Sequence, residues 1–372
     1  MLILSTVLLS FQSSIEVLIT PNNIDSLGSK KFVSSSLGVR AHVKDNWALN
    51  EYMQLTLGGY TILGDDIIED KVFLSHASTS FDSVFGNSQL ALGRMPLDLD
   101  NGLLASMNCW QIEPYFHDGV LLKTPSDKLS LQAFYFNAAT GLSGAREDVI
   151  SGFLLESPDQ DFSTTYLRRE QYEQAIDEYN FAFRLFKNFD SGLFWDSTIV
   201  LQQGDDDVRD VSSIAFVSSL TKELDFGHKV GLSFSLAQGD RQDPTNRSSY
   251  SPGLIDRHQF AGKADVLSFS NLVDIAFEYE LLWDEHSSFH VDLHSFSRQT
   301  TSDGIYLFDE SSVTSTSSSS EIARELDMYI SAIFLDRIVL QGGLSVFQWQ
   351  DKTVSFSDEV EYAIYLHADY SF

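Results

Sequence analysis

The sequence predicts an all-β protein, a transmembrane antiparallel β-barrel of about 16–18 strands with long polar extracellular loops. Three observations predict this fold class. Apolar and polar residues alternate with a period of two along almost the whole chain, which in a β-strand sorts the side chains onto two faces. Several alternating runs reach about ten residues, enough for a tilted strand to cross a bilayer. The runs are joined by a mixture of short turns and long polar segments, as in membrane barrels.

The clearest strands are three runs between residues 177 and 294. Residues 273–281 place apolar side chains at odd positions and mostly acidic ones at even positions. Residues 177–187 and 289–294 repeat this arrangement. A soluble sandwich also alternates, but its strands are usually about five or six residues long. The length of these runs therefore favours a barrel that crosses a membrane.

Weaker copies of the same pattern complete the predicted barrel. Together with the three clear runs they make about sixteen segments, and closed bacterial barrels have even strand numbers. A barrel of this size has an aqueous lumen unless loops plug it. The weaker copies are residues 37–44, 51–62, 71–77, 88–95, 116–124, 129–137, 193–202, 213–220, 230–237, 259–266, 326–334, 338–348 and 362–372.

The segments between the runs predict the two ends of the barrel. Residues 188–192 form a short turn, whereas residues 141–174, 239–256 and 300–320 are the longest polar loops. The last strand ends on the aromatic Phe372, which favours a barrel inserted into the bacterial outer membrane. Aromatic residues near strand ends are expected to form interfacial girdles, and the candidates are Tyr115, Phe116, residues 134–136, Phe347 and Trp349.

The amino-terminal segment has two interpretations. Residues 1–9 are apolar but cover only about half the length of a membrane-spanning helix. Residues 1–20 are therefore a possible degraded or truncated signal segment, followed by a single outer-membrane β-barrel domain over residues 21–372. The alternative is that the segment is a first β-strand.

The charge balance excludes several functions. The chain has 53 acidic and 24 basic residues, for a net charge of -29. Nucleic-acid binding needs cationic groups against phosphate, so it is not expected, and neither is electrostatic docking on an anionic membrane surface. The single cysteine, Cys109, excludes an intramolecular disulfide and a multi-cysteine zinc site.

Several motifs, spread in order from residue 37 to the end of the chain, resemble the alginate-export family of outer-membrane barrels. The resemblance implies a barrel of roughly 18 strands whose lumen passes an anionic polysaccharide. The motifs are Leu92-Gly-Arg94-Met-Pro, Trp110, Phe116-His-Asp-Gly-Val120, His258-Gln-Phe260-Ala-Gly262-Lys-Ala-Asp265, Asn271-Leu-Val-Asp274, Asp292-Leu-His294-Ser-Phe296, Tyr306 and Glu325-Leu-Asp327.

The predicted lining of the lumen departs from that family. A pore for a uronate polymer is expected to carry arginine, which pairs with carboxylates bidentately. Here cationic and anionic candidates are mixed, and this balance predicts a weak preference for cations. The residues predicted to line the pathway are Arg40, Arg94, Asp118, Arg184, Lys263, Asp265, Asp274, Glu278, His294 and Arg298.

Binding and catalytic constellations are weaker signals. His290, Asp292 and His294 share one strand face and could hold zinc, but a polar strip facing the lumen is the preferred interpretation. Residues 98–102 and 205–207 faintly suggest calcium loops, but the full calcium-loop spacing ending in Glu is absent, and acids facing solvent or lipopolysaccharide are the preferred interpretation. The sequence has no Gly-x-Ser-x-Gly elbow and no glycine-rich phosphate loop. No enzymatic activity, metal or cofactor is predicted.

The sequence therefore predicts a passive channel in the bacterial outer membrane. Its partners are outer-membrane lipid, lipopolysaccharide and a hydrophilic solute or polysaccharide, with no nucleic acid. Two alternatives remain at this point: a membrane-barrel enzyme that acts on lipid or glycan, and a soluble secreted protein that binds carbohydrate.

Overall fold

A computed structural model describes most of the chain. The described residues are all except 1–9, 22–34, 51, 64–70, 107–115, 127, 140–147, 158, 160, 172–174, 207, 242–244, 252–259, 265, 308–311, 335–337, 355–359 and 372. In the described part, no helix has the length and hydropathy needed to cross a membrane.

The described chain is built almost entirely of β-strands. In chain order they are β1 (Ser10–Pro21), β2 (Ser35–Asn50), β3 (Met53–Leu63), β4 (Lys71–Phe81), β5 (Gln89–Met95), β6 (Phe116–Thr124), β7 (Ser130–Ala139), β8 (Asp148–Ser157), β9 (Phe162–Gln171), β10 (Ile176–Phe189), β11 (Leu193–Asp206), β12 (Asp210–Glu223), β13 (His228–Ala237), β14 (Asn246–Arg247), β15 (Leu272–Asp284), β16 (Ser287–Arg298), β17 (Ile305–Tyr306), β18 (Ser312–Val313), β19 (Glu321–Phe334), β20 (Ile338–Trp349) and β21 (Val360–Ser371).

The long strands close into one barrel. Each pairs antiparallel with its neighbours along the chain, and the last strand, β21, pairs with the first, β1. Closure leaves no free sheet edge, which is the requirement for a sheet in a membrane. The described barrel has eighteen strands, because the two-residue strands β14, β17 and β18 belong to loops rather than to the wall. The predicted fold class is confirmed.

Short turns and long loops separate to opposite ends of the barrel. The turns at 190–192, 224–227 and 285–286 lie at the end where β1 begins and β21 finishes. The long connections 96–115, 238–271 and 299–320 lie at the other end. The alternation of short and long connections thus follows from the up-and-down topology.

Three of the predicted segments differ in the structure. The expected long loop 141–174 contains β8 and β9. The expected strand at 259–266 falls within the 238–271 connection. The described residues of 259–266 do not form a β-strand. Within the possible signal segment 1–20, residues from Ser10 onward belong to β1, which pairs along its length with β2.

A belt of exposed apolar side chains surrounds the barrel. These residues alternate with buried or polar ones along each strand, so they occupy the outer face. In water such a surface would be an aggregation hazard, whereas lipid tails accept it. The belt includes Leu92, Val120, Phe153, Phe181, Phe183, Leu201, Leu232, Ile275, Phe277, Leu293, Ile330 and Ile364.

Most of the aromatic residues predicted for the girdle are not on the outer face. Phe116, Phe134, Phe136, Phe347 and Trp349 are buried, whereas Tyr135 is 55% exposed as predicted and Tyr115 lies outside the described residues. All of the buried ones except Phe116 belong to the interior hydrophobic cluster, so they do not reach lipid. The exposed aromatic residues instead cluster at the turn end of the barrel, at Phe85, Phe189, Phe226, Trp283 and Phe334.

The hydrophobic core lies inside the barrel. Leu97, Leu99 and Leu103 of the 96–115 connection are buried with Phe136 and Ile150 of the wall. Fully burying a leucine or phenylalanine side chain contributes about 1.5–3 kcal/mol relative to leaving it exposed. The loops that enter the lumen are therefore held by apolar packing and narrow the pathway.

Candidate permeation pathway

The described part of the 238–271 connection enters the lumen, and it is fixed first to the wall formed by β10 and β11. Arg247 donates to a carboxylate oxygen of Glu178 and lies 3.2 Å from Asp206. The Gln202 side chain donates to the Ser251 carbonyl at 2.9 Å and accepts from the Ser251 N–H at 3.2 Å. Because Glu178 and Gln202 are buried inward-facing residues, these bonds hold the loop inside the barrel.

The same connection is fixed a second time on β19. The N–H of Ala264 donates to Oε1 of the buried Glu325 at 2.9 Å. Gly262 has a φ of 81°, and a Cβ there would lie only 2.6 Å from Oε2 of Glu325. Only glycine fits this close approach without strain. The loop thus bridges two separate parts of the wall, β10–β11 and β19.

A second and shorter connection, 96–115, also enters the lumen. Its one-turn helix Asp100–Gly102 is buried except at Asn101, whose amide donates to Asp196 at 3.2 Å. Asp196 also receives a bidentate pair from Arg184, at 2.9 and 2.5 Å. Burial raises the pKa of the Asp100 carboxyl above its ordinary value.

Between these two connections and the wall lies a cavity of about 410 Å³. Six carboxylates and two lysines reach it, together with two histidines. Its charge is therefore acidic overall, although the sequence suggested a mixed lining. These residues are Asp100, Asp196, Asp274, Glu278, Glu280, Asp292, Lys229, Lys263, His290 and His294.

Four of the residues predicted to line the pathway meet at this cavity. Asp274 and Glu278 lie on β15, His294 lies on β16, and Lys263 is supplied by the 238–271 connection. The Lys263 ammonium lies 4.7 Å from the centre of the Tyr329 ring. These residues come from neighbouring antiparallel strands and from the connection before them. Their side chains meet because neighbouring strands present their inward-facing residues on the same inner surface.

Two predicted lining residues face the other way. Arg94 and Asp118 form a bidentate pair, with Nε–Oδ1 and Nη2–Oδ2 distances of 2.8 and 2.6 Å. They share the strand faces of Leu92 and Val120, which belong to the exposed outer belt. The expectation that they line the lumen is therefore wrong. A paired arginine near the loop end of a strand can face outward where the belt meets polar headgroups.

The other predicted residues have structural settings or lie outside the described part. Arg184 faces inward but is bound to Asp196. Arg298 is buried and donates to the carbonyls of Ser317 and Ser319 at 2.8 and 2.6 Å, so it secures the 299–320 connection. The side chain of Arg40, on β2, and the whole of Asp265 lie outside the described residues.

The acidic wall combines residues that the sequence analysis anticipated with residues that it missed. Glu280, Asp292 and Asp327 are among the acids that the alternation predicts to face the lumen. Asp196 and Lys229 were not considered. The period-two pattern of β15 and β16 carries the signal for Glu280 and Asp292, which share an inward face with Asp274 and His294.

Histidine and acid groups interact closely along this wall. Nδ1 of His294 lies 2.8 Å from Asp274 Oδ2, and its Nε2 lies 3.5 Å from Asp327 Oδ2. His290 stacks on Tyr329 with ring centres 4.3 Å apart. Lys229 lies 3.3 Å from Glu280. Most positive groups near the cavity are thus already engaged with specific partners, and the carboxylates outnumber them.

Comparison with known proteins bears on the fold. No protein-family model matches the sequence, and no curated protein is detectably similar to it. Solved structures are similar: OccK11 (OpdR) of Pseudomonas aeruginosa aligns with a TM-score of 0.65 and 13% identity over 98% of this chain and 96% of that chain. The P. aeruginosa outer membrane protein OpdK aligns with a TM-score of 0.67 and 10% identity over 98% of each. The fold is that of an outer-membrane porin.

One of the similar porin structures carries a bound solute. OccK2 (OpdF) of P. aeruginosa in complex with glucuronate aligns with a TM-score of 0.64 and 11% identity, over 99% of this chain and 98% of that chain. At these identities the similarity establishes the fold of the present chain and does not establish its solute. It supports a porin barrel without singling out the alginate-export family.

Proposed function

We propose that this chain is a passive channel of the bacterial outer membrane that admits small hydrophilic solutes and prefers cationic or neutral ones over anionic ones. The observation that carries the proposal is the acidic cavity inside a closed barrel, narrowed by two infolded connections. Six carboxylates against two lysines reach this cavity. Such a channel needs no chemistry, because lining side chains replace the hydration of the solute and their charge sets the preference.

The membrane location is supported by the outer surface. The apolar belt and the turn-end aromatic residues match a barrel whose outer face contacts lipid and headgroups. Closed sheets are the only β-structures that cross a bilayer, since every backbone group is then paired. Lipid and lipopolysaccharide are the expected partners of this surface, and the porin fold agrees with that location.

The finer expectation, export of an anionic polysaccharide such as alginate, is less well supported. The glucuronate complex of OccK2 shows that a porin of this fold can hold one uronate sugar. A polyuronate carries a carboxylate on every sugar, and the present cavity would repel each one. Arg184, the inward arginine next to the cavity, is already bound to Asp196. A small solute therefore fits the described lining better than a polyanion.

Three solutes of similar size and different charge test the proposal. Purified protein is placed in liposomes, and swelling is measured with arginine, glucose and glucuronate. The expected order of rates is arginine, then glucose, then glucuronate, because the acidic field concentrates cations and excludes anions. Glucuronate entering faster than arginine would overturn the proposed preference. No swelling with any solute, combined with release of product from lipid or glycan, would favour the barrel-enzyme alternative.

Planar-bilayer recording separates the small-solute channel from polysaccharide export. Across a potassium chloride gradient, the sign of the reversal potential is expected to show that the channel prefers potassium to chloride. Oligouronates added to either side are expected to leave the single-channel current unchanged. Frequent transient blockade by oligouronates at low concentration would instead support the polysaccharide expectation.

A further inference from the structure

We propose that Asp292, His294 and Asp327 form a binding site for a divalent transition metal ion on the inner wall of the barrel. One ligand atom from each residue lies within 4.8 Å of the others. Two carboxylates and one imidazole are a donor set suited to zinc and related ions, whereas magnesium and calcium prefer oxygen donors alone. This inference is independent of the proposed channel function.

The register of three neighbouring strands builds the site. On β16, Asp292 and His294 are two residues apart and therefore face the same way. Asp327 on β19 is the direct cross-strand partner of Asp292, and Glu278 on β15 is the partner on the other side. Three acidic residues thus stand in one row across three strands. Like charges directly opposite each other destabilise a sheet unless a cation lies between them.

Asp327 supplies the independent indication of a ligand. It is 0% exposed, and neither of its carboxylate oxygens accepts a hydrogen bond from an amide, amine or hydroxyl group of the described residues. Its neighbours are the Glu325 carboxyl and the His294 ring. Burying a carboxylate with so few donors is costly. Its Oδ2 lies 3.5 Å from Nε2 of His294, so the unsatisfied oxygen points into the cluster.

His294 is oriented as a metal ligand would be. Its Nδ1 lies 2.8 Å from Oδ2 of Asp274, and because a carboxylate only accepts hydrogen bonds, Nδ1 carries a proton. In the metal-free site Nε2 also faces a carboxylate, that of Asp327, so it carries a proton as well. Binding of the metal ion releases this proton, and the lone pair of Nε2 then serves as the ligand. A carboxylate that holds the far nitrogen of a ligating histidine is a recurring outer-shell arrangement in metal sites.

The site differs from the constellation that the sequence suggested. His290 was grouped with Asp292 and His294, but its Nε2 lies 2.8 Å from Ser288 Oγ and its ring stacks on Tyr329. Asp327 takes the third position because it is the cross-strand neighbour of Asp292. The metal site is thus assembled by strand pairing and could not be identified on one strand alone.

Metal titration of the folded barrel in detergent tests this proposal. The protein is stripped with a chelator and titrated with Zn²⁺ by calorimetry, with Mg²⁺ and Ca²⁺ as comparison ions. One Zn²⁺ per chain is expected, with much weaker binding of the other two. Zinc-edge X-ray absorption is expected to show one imidazole and otherwise oxygen ligands.

Matched variants identify the ligands. Asp327→Asn and His294→Gln are each expected to weaken Zn²⁺ binding by more than a hundredfold. Asp274→Ala, which removes only the outer partner, should weaken it by about 10–100-fold. Asp205→Asn, on an exposed acid of β11, is the control and should bind as the parent does. Equal binding in the parent and Asp327→Asn, or no saturable Zn²⁺ binding to the parent, would overturn the site.

The titration does not depend on conduction. A barrel that binds Zn²⁺ but gives no solute flux would contradict only the proposed function. A barrel that conducts but binds no Zn²⁺ would contradict only the metal site. If Mg²⁺ or Ca²⁺ binds as tightly as Zn²⁺, the assignment to transition metal ions is wrong.

Discussion

The two walls that face the cavity differ in how their charges are compensated. On β9, β10 and β11 the inward arginines have acidic partners: Arg184 binds Asp196 in bidentate geometry, and Arg169 lies 3.7 Å from Glu178. On β15, β16 and β19 the acids stand opposite other acids, as Asp292 does with Asp327. The first wall is a set of closed ion pairs, whereas on the second wall the carboxylates outnumber their positive partners.

This difference separates structural charges from functional ones. Ion pairs on the first wall fix connections: Asn101 binds Asp196, and Arg247 binds Glu178. Their fields largely cancel at a distance, so they contribute little to selectivity. The unmatched carboxylates of the second wall project a net field into the cavity. We therefore expect substitutions on the first wall to change stability and those on the second to change selectivity.

The largest expected effect comes from opening an ion pair on the first wall. Asp196→Asn leaves Arg184, whose side chain is 18% exposed, without its anionic partner. Breaking a largely buried pair costs about 2–4 kcal/mol, because one charge stays desolvated. The free energy of unfolding, measured by denaturant titration in lipid vesicles, should fall by this amount. Asp118→Asn, on the exposed outer pair, is the control and should cost under about 1 kcal/mol.

Equal losses of unfolding free energy in these two variants would show that the inner ion pair stabilises the barrel no more than the outer pair does. A loss confined to Asp196→Asn would place the stabilising charges on the first wall.

The next effect is a change of selectivity on the second wall. The double variant Glu278→Lys with Glu280→Lys replaces two lining carboxylates by ammonium groups. The ratio of potassium to chloride permeability, obtained from reversal potentials, should fall by about tenfold or more, because the sign of the local field reverses. Asp118→Lys on the outer face adds one positive charge away from the lumen and should leave the ratio unchanged. An unchanged ratio in the double variant would remove the second wall as the selectivity determinant.

A smaller effect is expected where the crossing connection meets the second wall. Gly262→Ala places a Cβ against the Glu325 carboxylate at a φ of 81°. The strained backbone alone costs roughly 1–2 kcal/mol, so the connection should detach from β19 and single-channel conductance should rise. Gly86→Ala also has a positive φ, 69°, but its Cβ would meet nothing within 4 Å. If Gly262→Ala conducts no better than the parent and Gly86→Ala, the contact of Gly262 with Glu325 does not hold the connection in the lumen.

The smallest expected effect is a pH dependence of the 96–115 connection. Burial raises the pKa of Asp100 above 3.8, so the folded chain binds this proton more tightly than the unfolded chain. The packing of the 96–115 connection inside the barrel should therefore become more stable as the pH falls through the raised pKa toward 3.8. It should be least stable at pH values above the raised pKa. Hydrogen exchange of residues 97–106, corrected for intrinsic rates, should show more protection at the acidic end.

Asp100→Asn keeps the shape and removes the charge, so it should abolish this pH dependence. The exposed Asp98→Asn in the same connection is the control and should retain it. The same pH dependence in the Asp100 variant would mean that another group titrates.

The strands show how far local pattern could predict the fold. β15 and β16 alternate strongly because one face meets lipid and the other a polar cavity. β8 was missed because its inward Ile150 and Leu154 are buried against infolded loops, so both faces are apolar and the alternation disappears. β9 was missed for the opposite reason, since its inward Ser163 and Thr165 and outward Thr164 differ little in polarity.

The sequence by itself determined a membrane barrel and its approximate strand number, because the period of two and the strand length are local consequences of lipid on one side. It also placed Asp274, Glu278 and His294 on inward faces. Only the tertiary structure decided which charges meet. Asp327 reaches Asp292 through pairing across the 299–320 connection, and Arg247 reaches Glu178 through a folded loop. Arg94 and Asp118 face outward because they alternate in phase with Leu92 and Val120. That the outer face accepts this charged pair depends on its height relative to the bilayer, because a strand face that meets lipid at mid-height meets headgroups near its end.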